Sequence, residues 1–280
     1  AVYGGALLIL GGQAQTLEDG AHIWLQNAGF IWAPFIVAAA VAAWFGMDNI
    51  ATVKARFADQ AAIFGHKHQW LMSWLYTGTF GSFIGLAASF PMLVNTEFPA
   101  VDAFKFAFIG PLLAALVRPI GGWLADRRGG APITFWSFVV MAAAPVMAIP
   151  FLPSATSDGS AIGFVLLFLI LFIAAGVGNG STFRMIPTIF RSLRERQVAG
   201  QGEAALEQAR RDGATEAAAT LGFSSAVAAF GGFFIPIAYG ASIELTGSFQ
   251  WAMIFFSLFY LSCLFITWRW YSRPAAEAPC

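Results

Sequence analysis

One arginine stands where lipid would be expected. Arg118 lies inside the apolar run 103–125, about seven residues before its end, which is about 10 Å into a membrane helix at 1.5 Å per residue. A guanidinium in the hydrocarbon core costs several kcal/mol on insertion scales. One reading is a side chain that snorkels to the nearer headgroups. The other is a cation that faces a cavity. No Asp or Glu falls within the apolar runs to neutralise it: Asp102 and Glu244 sit at one rim, and Asp126 is expected in the loop beyond the other. An unpaired guanidinium suits a planar anion, because its rigid fork of donors matches planar oxyanions. Pro119 follows directly and can bend the helix there.

Tyr76 and Phe80 are four apart in the run 71–94, hence on one helix face. Such pairs commonly pack in a core or face lipid. Facing a cavity, the hydroxyl would donate to an anion and the ring would restrict its size. Small residues gather in three runs: Gly78, Gly81, Ser82 and Gly85; Gly176, Gly178 and Gly180 around Asn179; and Gly222, Ser224, Ser225, Ala228, Gly231 and Gly232. Spacings of three and four let helices pack closely, and glycine also serves where backbone meets a ligand. These three runs are therefore expected to be the tightly packed, cavity-lining helices.

The elements that position these residues must be membrane helices. Of 280 residues, 58% are hydrophobic, 16% aromatic and only 11% charged, against about 25% charged in soluble domains. Disorder, a disulfide scaffold and nucleic-acid binding are excluded: net charge is zero, so no basic field attracts phosphates. The two cysteines, Cys263 and Cys280, lack the spacing of a metal site. Seven runs, 30–47, 71–94, 103–125, 131–152, 161–183 (extending toward Phe190), 217–240 and 250–270, are long enough to cross about 30 Å of hydrocarbon. The fold class is all-α, a polytopic membrane protein. The short run 1–10 reads as the tail of a preceding helix.

Of the 15 basic residues, 12 fall on one side of these spans, with Lys105 at the opposite rim and Arg118 and Arg184 within them. Lys54, Arg56, Lys67, Arg127, Arg128, Arg191, Arg194, Arg196, Arg210, Arg211, Arg269 and Arg273 share that side, whereas the loops 12–29, 95–102, 153–160 and 241–249 contain no Lys or Arg. The positive-inside rule makes the basic side, and with it the C-terminus, cytoplasmic. The charged, Ala-rich stretch 191–216 is expected to be a helix along that face or a solvated linker. Tryptophans near the span ends fit an aromatic belt. Rival chemistries lack their residues. A retinal protein would need a lysine midway along 250–270, and a haem protein would need histidines in the spans, but His22, His66 and His68 are expected in loops. The His66-x-His68 pair has no third ligand nearby, so no metal and no cofactor is expected.

The segment Gly121-Gly-Trp-Leu-Ala-Asp126-Arg127-Arg128-Gly129-Gly130 resembles the G-x-L-A-D-R-x-G loop of the major facilitator superfamily, here at Gly122, Asp126, Arg127 and Gly129. Tyr76-Thr-Gly-Thr-Phe80-Gly-Ser-Phe-Ile-Gly85 resembles helix seven of the NarK-type nitrate/nitrite porters. Leu113-Ala-Ala-Leu-Val-Arg118-Pro-Ile-Gly-Gly122 resembles their helix eight, Gly178-Asn-Gly-Ser-Thr-Phe-Arg184-Met-Ile-Pro187 their helix ten, and Gly222-Phe-Ser-Ser-Ala-Val-Ala-Ala-Phe-Gly231-Gly232 the nitrate-signature stretch of helix eleven. Ala43-Trp-Phe-Gly-Met-Asp-Asn is also family-like. The resemblance covers essentially the whole chain.

The resemblance implies helices six to twelve of a twelve-helix major facilitator fold. Residues 1–11 would be a helix remnant, 12–47 an outer loop and the last helix of the N-terminal half, 48–70 the central cytoplasmic loop, 71–273 the C-terminal six-helix half, and 274–280 a cytoplasmic tail. Arg118 would bind nitrate or nitrite, Tyr76 would hydrogen-bond it and Phe80 would wall the site. Ser225, lining the cavity, and Asn179 would join the substrate-binding residues, and Gly81, Gly85, Gly178, Gly180, Gly222, Gly231 and Gly232 would let helices slide. The implied function is transport rather than enzymology: exchange of nitrate for nitrite by alternating access. Proton-coupled nitrate symport and an anion-binding sensor are the alternatives. The implied partners are nitrate, nitrite, the bilayer of a bacterial inner membrane and the N-terminal half of the same transporter.

Overall fold

The computed structural model describes residues 15–16, 22–23, 30, 32–47, 62–153, 157–273 and 275–280. The chain divides into two compact units, Ala1–Lys54 and Ala55–Cys280. In the first unit, two-residue strands β1 (Gln15–Thr16) and β2 (His22–Ile23) pair antiparallel, and an apolar helix α1 spans Trp32–Gly46. The helix-remnant reading of 1–11, and the placing of Lys54 and Arg56 in an inner loop, lie outside the described residues.

In the second unit six helical segments are long and apolar enough to cross a membrane: Lys67–Glu97, Ala103–Arg128, Gly130–Phe151, Ala161–Gln197, Glu203–Thr246 and Gln250–Ser272. Together with α1, the described residues are predominantly helical apart from the small β-ladder, a membrane fold as expected. The expected seventh span is the exception. At 15 residues, α1 covers only about 22 Å, short of the roughly 30 Å of hydrocarbon.

The first segment is built from α2 (Lys67–Tyr76), a wider π-type turn (Thr77–Gly81) and α3 (Ser82–Glu97). The next two are α4 (Ile109–Arg128) and α5 (Gly130–Ala148). Between them Gly129 adopts φ +88°, a left-handed geometry open to glycine at no steric cost, which turns the chain from α4 into α5. The remaining helices are α6 (Ala161–Gln197), α7 (Glu203–Ala229), α8 (Gly231–Thr246) and α9 (Gln250–Thr267). The 37-residue α6 is the hub, packing against α2, α3, α4, α5 and α7.

Helices in lipid gain little from apolar burial against one another, so small residues that allow close approach decide where they cross. Two crossings are backbone on backbone. A Cβ on Gly231 would strike Gly81, and one on Gly85 would sit 2.5 Å from the Gly231 carbonyl oxygen, so α3 and α8 meet at glycines. Likewise Gly121 faces Val177, Gly176 faces Ala114 and Gly180 faces the Arg118 carbonyl, so α4 and α6 meet. Gly178 lies on Thr79 and Ser137, and Gly232 on Ile84. Gly222 departs from the expected packing set: nothing lies within 4 Å of an added Cβ. Away from these crossings, stacked phenylalanines fill the interior near the cation-poor end, with Phe164 and Phe168 centroids 4.6 Å apart and Phe90 5.6 Å from Phe168.

Several placements differ from those expected. The stretch 191–216 is neither a helix lying on the face nor a linker. The long helix α6 continues to Gln197, the chain turns at 198–202, and α7 starts at Glu203. The two arms pack as a hairpin, with Gly213 against the Arg191 backbone and Glu216 paired with Arg194. Alternating charges every three or four residues make this extension possible, because each turn supplies its own partner, as in Arg191 to Glu195 at 2.9 Å. Asp126 belongs to the last turn of α4 rather than to a loop. Among the histidines, His22 is in β2 and His68 is buried on α2.

The tail is not free. Glu277 pairs with Lys67 and lies 3.4 Å from His68 Nε2, His68 Nδ1 lies 3.1 Å from the Tyr271 hydroxyl, and Arg196 donates to the Glu277 carbonyl at 2.7 Å. The hydrogen bond from Lys67, aided by the charges of His68 and Lys67 against partial burial, holds the Glu277 carboxyl below its ordinary value of 4.5. A depressed folded pKa stabilises fully above the unfolded value and ceases to as pH falls through the folded one. Acidification from about pH 5 to pH 3 is therefore expected to destabilise the wild type more than Glu277→Gln, the difference being less than about 1 kcal/mol, since the pair is half exposed. For the crossings, Gly231→Ala is expected to cost about 1–3 kcal/mol through overpacking. Gly222→Ala should be neutral or stabilising by up to about 1 kcal/mol. Thermal unfolding in detergent reads both.

Candidate anion-binding site

The site begins with a local break in helical regularity. After Tyr76 the chain runs Thr77-Gly-Thr-Phe-Gly81 as a π-type turn. Two glycines loosen the backbone, and the threonine hydroxyls reach back, Thr77 Oγ1 to the Ser73 carbonyl at 2.8 Å and Thr79 Oγ1 to the Leu75 carbonyl at 3.3 Å. Such back-bonding bends helices, and π-turns recur where a helix must re-aim side chains. Here it keeps Tyr76 and Phe80 side by side, with ring centroids 5.4 Å apart.

Arg118 reaches this pair from α4. Its Nη2 donates to the Tyr76 hydroxyl at 3.4 Å, and its Cζ lies 5.7 Å from the Phe80 ring centroid. A second ring, Phe183 on α6, lies 5.6 Å away. Among the described residues no carboxylate pairs with Arg118. Aromatic faces hold a cation by their quadrupole without neutralising it, so the guanidinium keeps its charge and donors for another partner. The Arg118 carbonyl rests against Gly180, so the same glycine that lets α4 and α6 touch sets the height of the guanidinium. A cleft of about 410 Å³ opens beside it, lined by Arg118, Pro119, Gly122, Trp123, Asp126 and Arg184 among others.

The arrangement thus gathers Arg118, Tyr76 and Phe80. It leaves two other expected residues apart. Among the described residues neither Asn179 nor Ser225 hydrogen-bonds to this cluster. Asn179 is 2% exposed and its Oδ1 has no partner. Ser225 is half-buried, while its neighbour Ser224 turns fully inward and bonds Ser73 at 2.9 Å. One residue along a helix is about 100° of rotation, and only the fold decides which serine faces in. The loop motif divides its labour. Gly122 lines the cleft, Asp126 pairs with Arg184, Arg127 stacks over Trp123 at 4.1 Å, and Gly129 makes the turn.

Two features were missed. Phe183, the second wall of Arg118, carries no local signal, because its partner lies 65 positions earlier in the chain. The buried hydroxyl pairs Thr79–Thr182 at 3.1 Å and Thr134–Ser181 at 2.9 Å link α6 to the π-turn and to α5. The run Gly180-Ser-Thr did hint at them, since hydroxyls in an apolar helix need partners.

No protein-family model matches the chain. Individual proteins do. Over 264 residues, 94% of the chain, it is 46% identical to the nitrate/nitrite transporter NarU of Salmonella typhimurium and 44% identical to that of Escherichia coli. The chain belongs to the nitrate/nitrite transporter family. A probable nitrate/nitrite antiporter, NarK2 of Thermus thermophilus, is 34% identical over 279 residues. The chain spans 57–58% of the length of these relatives. Its six long apolar helices and the shorter α1 correspond to a portion of those relatives, which are transporters, not enzymes.

The cradle itself can be checked without any substrate. Phe183→Ala removes one cation–π face worth about 0.5–1 kcal/mol. Labelling of Arg118 by an arginine-directed dicarbonyl, followed by peptide mass spectrometry, is expected to rise about two- to five-fold. Labelling equal to wild type would mean the ring does not shield the guanidinium.

Proposed function

We propose that the chain is the C-terminal portion of a transporter that exchanges nitrate for nitrite by alternating access, with Arg118 as its contribution to the anion site. The observation that carries this is the unneutralised guanidinium of Arg118, held between Phe80 and Phe183 beside the Tyr76 hydroxyl. Both anions are small and planar, and the guanidinium fork offers paired donors in their plane. Tyr76 adds a neutral donor, and the two rings limit the size of what enters. In a dry site these donors are worth far more than in water. The relatives' names, nitrate/nitrite transporter and nitrate/nitrite antiporter, agree with this chemistry.

In this reading the six helices of the second unit form one half of a two-half transporter that rocks about a midplane site. The other half supplies a further cation. An empty, doubly positive cavity resists closing, so an anion must be aboard for the switch in either direction, which favours exchange. Asn179 and Ser225 line the cavity in the moving conformations rather than grip the anion. The glycine crossings at Gly81, Gly85 and Gly231 and at Gly178 and Gly180 are where helices slide. The basic end and the C-terminus face the cytoplasm of a bacterium, whose inner membrane holds the protein.

In proteoliposomes of the transporter that carries this chain, external nitrate uptake is expected to need internal nitrite or nitrate and to survive an uncoupler. Uptake that collapses with the uncoupler and ignores internal nitrite would establish proton symport instead, and binding without flux would establish a sensor. Arg118→Lys is expected to abolish uptake, since the planar fork is lost. Tyr76→Phe is expected to weaken nitrate affinity about two- to ten-fold, the worth of one neutral hydrogen bond. Wild-type uptake by Arg118→Lys would return that residue to a snorkelling role.

A further inference from the structure

The cleft beside Arg118 has a second arginine in its wall. Arg184 lies one turn beyond Gly180 on α6; its Nε donates to Asp126 Oδ1 at 2.7 Å, and its Nη2 lies 2.7 Å from the same oxygen. This pair lines two cavities at once. One is the 410 Å³ cleft that holds Arg118. The other, of about 210 Å³, lies on the far side, between Asp126, Gly129, Gly130, Arg184, Met185 and Thr188. The Asp126–Arg184 pair therefore stands between the Arg118 cleft and a recess beside the α4–α5 turn, at the basic end of the bundle.

We infer that Arg184 is a second, weaker station for the same small planar anion, blocked in this conformation by Asp126 and available when the pair parts. The inference rests on the reading of Arg118 as the anion-binding residue. Three observations carry it. Both donors on one edge of the Arg184 fork converge on a single oxygen of Asp126, so the carboxylate occupies the edge that a planar oxyanion would take. The side chains are 53% and 48% exposed, and a pair so wetted is worth only about 0–1 kcal/mol, which an arriving anion can replace. The path between the arginines carries little side-chain bulk: Gly122 and Gly180 line it, and a Cβ on Gly122 would lie 3.6 Å from Arg184 Cγ.

The spacing suits a relay. Arg118 and Asp126 are eight positions apart on α4, about 12 Å along the axis. The Phe183 ring stacks on Arg118 while its chain neighbour Arg184 holds Asp126. An anion leaving Arg118 toward the basic end passes from one guanidinium to the next. Asp126 then reclaims Arg184 and displaces the anion outward. The carboxylate acts as an internal competitor that keeps the second station from trapping its cargo.

The test measures nitrate binding by titration calorimetry on the detergent-purified transporter that contains this chain. In an Arg118→Lys background, Asp126→Asn is expected to expose a weak nitrate isotherm, with a Kd about two- to five-fold lower than with Asp126 present. Adding Arg184→Gln is expected to remove that isotherm, and Arg184→Lys to fail to restore it. If the pair is only a staple between α4 and α6, Asp126→Asn and Arg184→Gln will change binding in the same direction and the double variant will match either one, which overturns the station while leaving Arg118 intact. Absence of nitrate binding in the wild type, with none in Asp126→Asn either, overturns both readings together.

Discussion

A guanidinium without an opposite charge is the constraint around which this bundle is arranged. Arg118 is only part-buried, yet no carboxylate pairs with it among the described residues, so other groups must steady it. The solution is two aromatic faces and one hydroxyl. Each steadies the cation by a modest amount and none cancels it. The three partners come from the π-turn region and α6, so the side chain can only be held this way if those elements and α4 meet at one depth.

That requirement is met by glycine. The Arg118 carbonyl lies against Gly180, and the neighbouring contacts of Gly121 and Gly176 bring α4 and α6 together backbone to backbone. The π-turn sits opposite, tied to α6 by Thr79 and Thr182. Removing side chains at the crossings fixes interhelical distance with few adjustable parts. The same crossing that sets the depth of Arg118 continues to Arg184 one turn on. Binding geometry and the ion pair at the basic end are thus mechanically one feature.

The basic end follows a different logic. There the helices leave the apolar zone, and polar pairs replace small-residue contacts. Arg194 meets Glu216, Arg210 meets Glu195, and Lys67 with His68 meets Glu277. Exposed pairs of this kind add little stability singly, but they knit the α6–α7 hairpin and the tail across the mouth of the bundle. Along α4, Leu112, Leu116 and Ile120 are exposed, an apolar surface of the kind that lipid demands.

Much of this was legible in the chain alone. Run length and hydropathy sufficed for the six long helices, because a continuous apolar run of that length satisfies its backbone hydrogen bonds within itself only as a helix. Arg118 was legible because its cost in lipid demands an explanation, and the Tyr76–Phe80 pair because four residues define one helix face. What the residues could not announce were relations between helices. Phe183 as the second wall, Ser224 rather than Ser225 facing inward, the open space around Gly222 and the grip of Asp126 on Arg184 all depend on crossing depth and rotation. So does the α6–α7 hairpin at the basic end, where charge pattern alone was equally compatible with a linker. The periodicity of a sequence specifies what each helix is. Which of its faces meets which neighbour, and at what height, is decided only when all the helices pack at once.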